Sequence, residues 1–169
     1  MTLVNTPRLL LGMLFFALLV SCGEYNIKLN DRVVYTPDAL FTDYQIADTA
    51  LAECVAKHIT TQNISHAIEL LELNCQDLGI TSLSGLERFH ALQYLDLSDN
   101  TIVDTTALTG LEELRSLNLS RNALENVAAL GQLHGLRYVG LTGNNRLLCA
   151  SIQFAQVVEL DLPRHCGTH

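Results

Sequence analysis

The chain repeats itself, and the repeat limits what it can fold into. The pattern L-x-x-L-x-L-x-x-N-x-L occurs as Leu92, Leu95, Leu97, Asn100 and Ile102, and again as Leu114, Leu117, Leu119, Asn122 and Leu124. A third copy runs Leu136, Val139, Leu141, Asn144 and then slips, with Leu147 one place late. A degenerate first copy aligns as Ile68, Leu71, Leu73, Gln76 and Leu78, and a last one as Val157, Leu160 and Leu162 without the Asn. The copies start at 68, 92, 114, 136 and 157, in steps of 24, 22, 22 and 21. A unit this short cannot bury its aliphatic side chains alone, so the copies must stack and share a core. In Leu95-Asp96-Leu97 the alternation puts both leucines on one side of a short strand and Asp96 on the other. Leu108, Leu111 and Leu114 continue at a spacing of three, which predicts a 3₁₀-like return. Asn100, Asn122 and Asn144 stand where the chain leaves the strand. A carboxamide there pairs backbone groups of adjacent coils that would otherwise be buried without partners, which is a structural role.

On these residues the stretch 68–166 resembles a leucine-rich-repeat array of the short class found in internalin-like bacterial proteins. The resemblance implies an α/β solenoid of about five coils, with short parallel strands on a concave face and a 3₁₀ or irregular convex side. It also implies that a partner docks on the strand face. By pleat, the outward positions read as one column of Leu70, Tyr94, Ser116, Tyr138 and Glu159 and a central one of Glu72, Asp96, Asn118, Gly140 and Asp161. A third column reads Asn74, Ser98, Ser120, Thr142 and Pro163. Tyr94 and Tyr138 hold equivalent slots two coils apart, with Arg115 and Arg137 beside them. Amphipathic aromatics with arginine neighbours suit interface anchors, so Tyr94, Asp96, Arg115, Asn118, Arg137 and Tyr138 form the expected contact set.

A stacked array needs caps at its open ends. Residues 25–35 alternate with a turn at Asn30-Asp31, closed by Pro37, which predicts a hairpin. Leu51, Cys54, Val55 and Ile59 make a helical stripe behind Asp48 as N-cap. Hairpin and helix together are expected to cap the N-terminal end, and a short helix is expected over 149–156. Ahead of these lies an export signal. Arg8 precedes an uncharged apolar run from Leu9 to Val20, too short to span a membrane but long enough for a signal-peptide core. Its end, Leu19-Val20-Ser21-Cys22, resembles the lipobox of bacterial lipoproteins, which implies that Cys22 is acylated and becomes the first mature residue. In the lipoproteins it resembles, Asp at the next position retains the chain in the inner membrane, so Gly23 implies the outer membrane, facing the periplasm or the cell surface. Cys54, Cys75, Cys149 and Cys166 remain, and in an exported chain they suggest disulfides, with three pairings open. Sequence proximity and the need to tie each cap to its coil favour Cys54–Cys75 and Cys149–Cys166, similar to disulfide-capped repeat proteins.

The resulting division is signal peptide 1–21, tether and N-terminal cap 22–67, repeats 68–148 and C-terminal cap 149–169. The net charge of −8 argues against nucleic acid as partner. Two zinc readings, Cys54/His58 with Cys75 and Cys149 with His165, Cys166 and His169, lack the paired short cysteine spacing of zinc sites. With no nucleophile elbow, zincin helix motif or phosphate-binding glycine loop, neither enzymatic activity nor a metal or other cofactor is expected. The expected function is recognition of a protein partner by a membrane-anchored chain, as a monomer or weak oligomer at the bacterial envelope. A structural lipoprotein contacting peptidoglycan or polysaccharide is the competing class.

Overall fold

The computed structural model describes residues 27–30, 32–35 and 38–167. The expected export segment 1–21, Cys22, Asp31, Pro37 and His169 lie outside them. Strands β1 (Ile27–Leu29) and β2 (Arg32–Tyr35) pair antiparallel. Their two-residue connection starts at Asn30, whose φ of 48° is the left-handed value that so tight a hairpin needs. The hairpin and the repeats belong to separate units, divided after Asp38.

The second unit opens with an extended segment and helix α1 (Thr49–Gln62). The Asp48 side chain accepts from Leu51 N–H at 3.1 Å, which caps the helix. The same carboxylate accepts from the Thr81 N–H and hydroxyl at 2.9 Å and so ties the cap to the first coil. Burial pushes the Asp48 carboxyl up, but hydrogen bonds from Thr81, Leu51 and Ser82 outweigh it and hold it below its usual range. Leu51, Cys54, Val55 and Ile59 face the core, and Asn63, with a φ of 55°, ends the helix in the left-handed region. Among the described residues, no helix is long and apolar enough to cross a membrane.

Five three-residue strands follow, β3 (Glu72–Asn74), β4 (Tyr94–Asp96), β5 (Ser116–Asn118), β6 (Tyr138–Gly140) and β7 (Glu159–Asp161). They form one parallel sheet in chain order. Leu73, Leu95, Leu117, Val139 and Leu160 align across it. On the far side, 3₁₀ turns at Leu86–Arg88, Thr106–Gly110 and Ala128–Gln132 return the chain. They bury Leu86, Leu108 and Leu130, one under the next. Short 3₁₀ turns at Ala67–Glu69 and Arg164–Cys166 flank the array, and a third at Cys149–Ser151 lies between β6 and β7, so the helix expected over 149–156 is only a three-residue turn. An aromatic cluster of Phe41, Tyr44 and Phe89, with ring centroids 5.4 to 6.0 Å apart, holds the segment before α1 against the first return.

The register corrects the alignment of the first copy. Leu73 pairs with Leu95, so the true slots are Leu70, Leu73, Cys75 and Ile80, all buried, while Ile68, Leu71 and Leu78 are exposed. The step into the second copy is therefore 22 residues, like the two that follow. The repeat was obscured because Cys75 takes a leucine slot and Leu71 offers a false aliphatic beside the true one.

The amides at the turns form a ladder. Asn100 Nδ2 donates to the Leu97 and Ser98 carbonyls of its own coil and to Cys75 O of the coil before, while its Oδ1 accepts from Leu78 and Ile80 N–H. Asn122 donates to Leu97 O and Leu119 O and accepts from Ile102 N–H. Asn144 donates to Leu119 O and Leu141 O and accepts from Leu124 N–H. Gln76 has no part in this ladder, because its register sets Leu78, not Gln76, in the asparagine slot. The residue before each slot is left-handed, at Asp77, Asp99, Arg121 and Gly143. Asp99 and Arg121 thus stand side by side on adjacent coils and form an ion pair.

The register yields a direct test. Leu70→Ala should destabilise the protein by about 2–5 kcal/mol and the exposed Leu71→Ala by no more than about 0.5 kcal/mol in urea unfolding. Equal losses would refute this alignment.

Candidate binding face

The pleat of β3 to β7 sets two outward columns on the sheet. Glu72, Tyr94, Ser116, Tyr138 and Glu159 form one; Asn74, Asp96, Asn118, Gly140 and Asp161 form the other. The sequence alignment had set Leu70 and Glu72 at the heads of these columns, but Leu70 is buried in the core. Of the third column expected to be outward, Ser98, Ser120 and Pro163 are buried, while Thr142 is exposed and Asn74 belongs to the second column. The third column's hydroxyls point back to brace the second column and each other. Ser98 Oγ donates to Asp96 Oδ1 at 2.6 Å, and Thr142 Oγ1 donates to Ser120 Oγ at 3.1 Å.

Asp96 is held in place. Ser98 N–H donates to the same Oδ1 at 2.9 Å, and Asn118 Nδ2 donates to Oδ2 at 3.2 Å. Asn118 is oriented in turn by Ser120 N–H, which donates to its Oδ1. Tyr138 lies along its own strand and donates to Asp161 Oδ2 at 3.0 Å. It can do so because residue 140 is glycine. A Cβ there would stand 2.7 Å from Asn118 Oδ1 and 2.8 Å from the Tyr138 hydroxyl. Burial first, then the Asp161 hydrogen bond and the charges of Asp161, Glu159 and Asp96, push the Tyr138 hydroxyl pKa up. Tyr94 has no such restraint and is 49% exposed.

Arg115 and Arg137 sit one residue ahead of β5 and β6. Their carbonyls each accept two N–H bonds from the next coil, and their side chains are exposed along the upstream margin of the sheet. Between the columns and α1 lies an open depression of about 360 Å³, lined by Glu72, Tyr94, Asp96, Ser116, Asn118 and Tyr138 and, from the helix, by His58 and Gln62. The two helix residues were not anticipated. The signal was available in the Cys54–Cys75 pair, because residues four and eight beyond Cys54 share its side of the helix. His58 is a bridge here: its Nδ1–H donates to Cys54 O at 2.9 Å and its Nε2 accepts from Asn74 N–H at 3.4 Å.

Both expected cystine pairs are joined, with Cα atoms 5.9 Å apart for Cys54–Cys75 and 5.3 Å for Cys149–Cys166. The ligand atoms of Cys149, His165 and Cys166 lie within 4.8 Å of one another. The two sulfurs are bonded to each other, however, and cannot serve as thiolates. His165 Nε2–H donates to Leu147 O at 2.8 Å.

Comparison with known proteins agrees with the geometry. A family model described as Leucine rich repeat matches residues 101–147. The fold is a leucine-rich-repeat solenoid. Among solved structures it is similar to internalin C2 of Listeria monocytogenes, at 30% identity over 57% of this chain and 46% of that one, with a TM-score of 0.52. It is also similar in fold to an internalin (inlF) of Listeria monocytogenes, at 21% identity over 69% of this chain and 36% of that one, with a TM-score of 0.55. The solenoid thus spans less than half the length of either internalin chain. No curated protein matches the sequence.

Gly140→Ala should drive Tyr138 off Asp161 and return its ionisation toward the ordinary tyrosine value, as measured by tyrosinate absorbance against Tyr138→Phe in each background. A folded pKa raised above 10.0 contributes stability that is full below pH 10 and is lost as pH rises through the folded value. Alkaline unfolding should therefore be steeper for the natural chain than for Tyr138→Phe.

Proposed function

We propose that this chain is a membrane-anchored, non-enzymatic binding module that captures a protein partner on its strand face at the bacterial envelope. The observation that carries the reading is the open depression between Tyr94 and Tyr138, whose floor and polar side chains are already oriented by the sheet. Ordered side chains lose little freedom on contact, which favours association. The outward aromatics supply large contact area at low entropic cost. Similarity in fold to internalins supports a recognition role, and the lipobox ending in Cys22 supports the anchor. A multiply acylated cysteine holds a membrane lastingly, since each buried CH₂ contributes about 0.8 kcal/mol. Gly23 supports the outer membrane, and the acidic balance of the chain supports a protein over a nucleic acid.

Two measurements test this. Crosslinking in intact cells, followed by mass spectrometry, should recover a protein partner. Tyr94→Ala with Tyr138→Ala should leave urea unfolding within about 1 kcal/mol of the natural chain and reduce that capture about tenfold or more. Undiminished capture, or recovery of cell-wall polymer alone, would count against this face and this partner class. Separately, Cys22→Ser should abolish incorporation of labelled palmitate and release the chain from the membrane fraction.

A further inference from the structure

The geometry points to a specific occupant for the depression: an arginine or lysine side chain of the partner protein. This rests on the reading above that the strand face is the docking surface. The first argument is charge. The five strands of the sheet carry Glu72, Asp96, Glu159 and Asp161 and neither lysine nor arginine. Among the described residues, the half-buried carboxylate of Asp96 accepts hydrogen bonds only from neutral donors, Ser98 and Asn118. Arg121, which feels the Asp96 charge, is committed to Asp99 on the adjacent coil. An oriented carboxylate with neutral partners strengthens any charge-assisted bond it is offered.

The second argument is the aromatic lining. Tyr94 and Tyr138 stand on strands two steps apart, about 10 Å, and Ser116 between them is too small to fill the space. Tyr94 and Tyr138 flank Ser116 on β4 and β6, and aromatic rings lining a slot attract a cation placed in it. The charges acting on the Tyr138 hydroxyl are those of Asp161, Glu159 and Asp96, so the field at this spot is negative. The third argument narrows the ligand. Exposed Arg115 and Arg137 line the upstream margin and repel a run of positive charge. A lone basic residue flanked by neutral or acidic ones fits this pattern; a polybasic tract does not.

The test uses two capped peptides, Gly-Ser-Ser-Arg-Ser-Ser-Gly and the same sequence with neutral citrulline in place of arginine. Each is titrated into the ¹⁵N-labelled full chain in an uncharged detergent. The arginine peptide should shift the amides of Tyr94, Asp96, Ser116 and Tyr138 saturably. The citrulline peptide should bind about tenfold more weakly. Asp96→Asn should weaken the arginine peptide about fivefold, and Glu72→Gln, which alters no hydrogen bond within the sheet, should weaken it in the same direction by a smaller factor. Equal binding of the two peptides, shifts confined to another surface, or no shift at all would overturn the proposal. If the tyrosine double variant loses its captured partner while the two peptides behave alike, the docking face stands and the cation slot falls.

Discussion

The three middle coils leave the sheet through turns that aim backbone groups inward, and the solenoid depends on a side-chain amide in each to pair them. Asn100, Asn122 and Asn144 each reach carbonyls in two successive coils and accept an N–H from the earlier one. An aliphatic residue in the same slot strands several buried polar groups at about 1–3 kcal/mol each. The first coil can carry Leu78 there because no earlier coil needs bridging; α1 and the Cys54–Cys75 bond stand on that side instead. In the last coil His165 follows Asn144 by 21 residues and donates to Leu147 O.

The strand face inherits its order from that ladder. Fixing the turn fixes where Ser98 and Ser120 point, and these orient Asp96 and Asn118 from below. Equal coil lengths then bring Gly140 beside Asn118 and beneath the Tyr138 ring, so that an absent side chain in one coil is filled by its neighbours. The result is a surface whose polar groups are paired laterally, between residues about 22 apart.

The ends obey a different physics. With no neighbouring coil to complete the core, α1 lays four apolar residues over the first layer, and Phe41 and Tyr44 close around Phe89. Each cystine closes a loop of about 20 residues, which in the chain-entropy model is worth about 3 kcal/mol. Together they restrain the coils that have a neighbour on only one side.

What the sequence determined alone was the coil. Period and alternation name the inward leucines of three copies, the parallel order of their strands and the tyrosines that share a column, because each slot admits one residue class and the pattern recurs locally. The alignment failed where that class was hidden, at Cys75 and Leu71 in the first copy. Only the tertiary structure decided the register there, the burial of Ser98 and Ser120, and the joining of His58 and Gln62 to the face. Those outcomes depend on which side chain of one coil meets which of the next, or of the helix, and such contacts exist only once the layers are stacked.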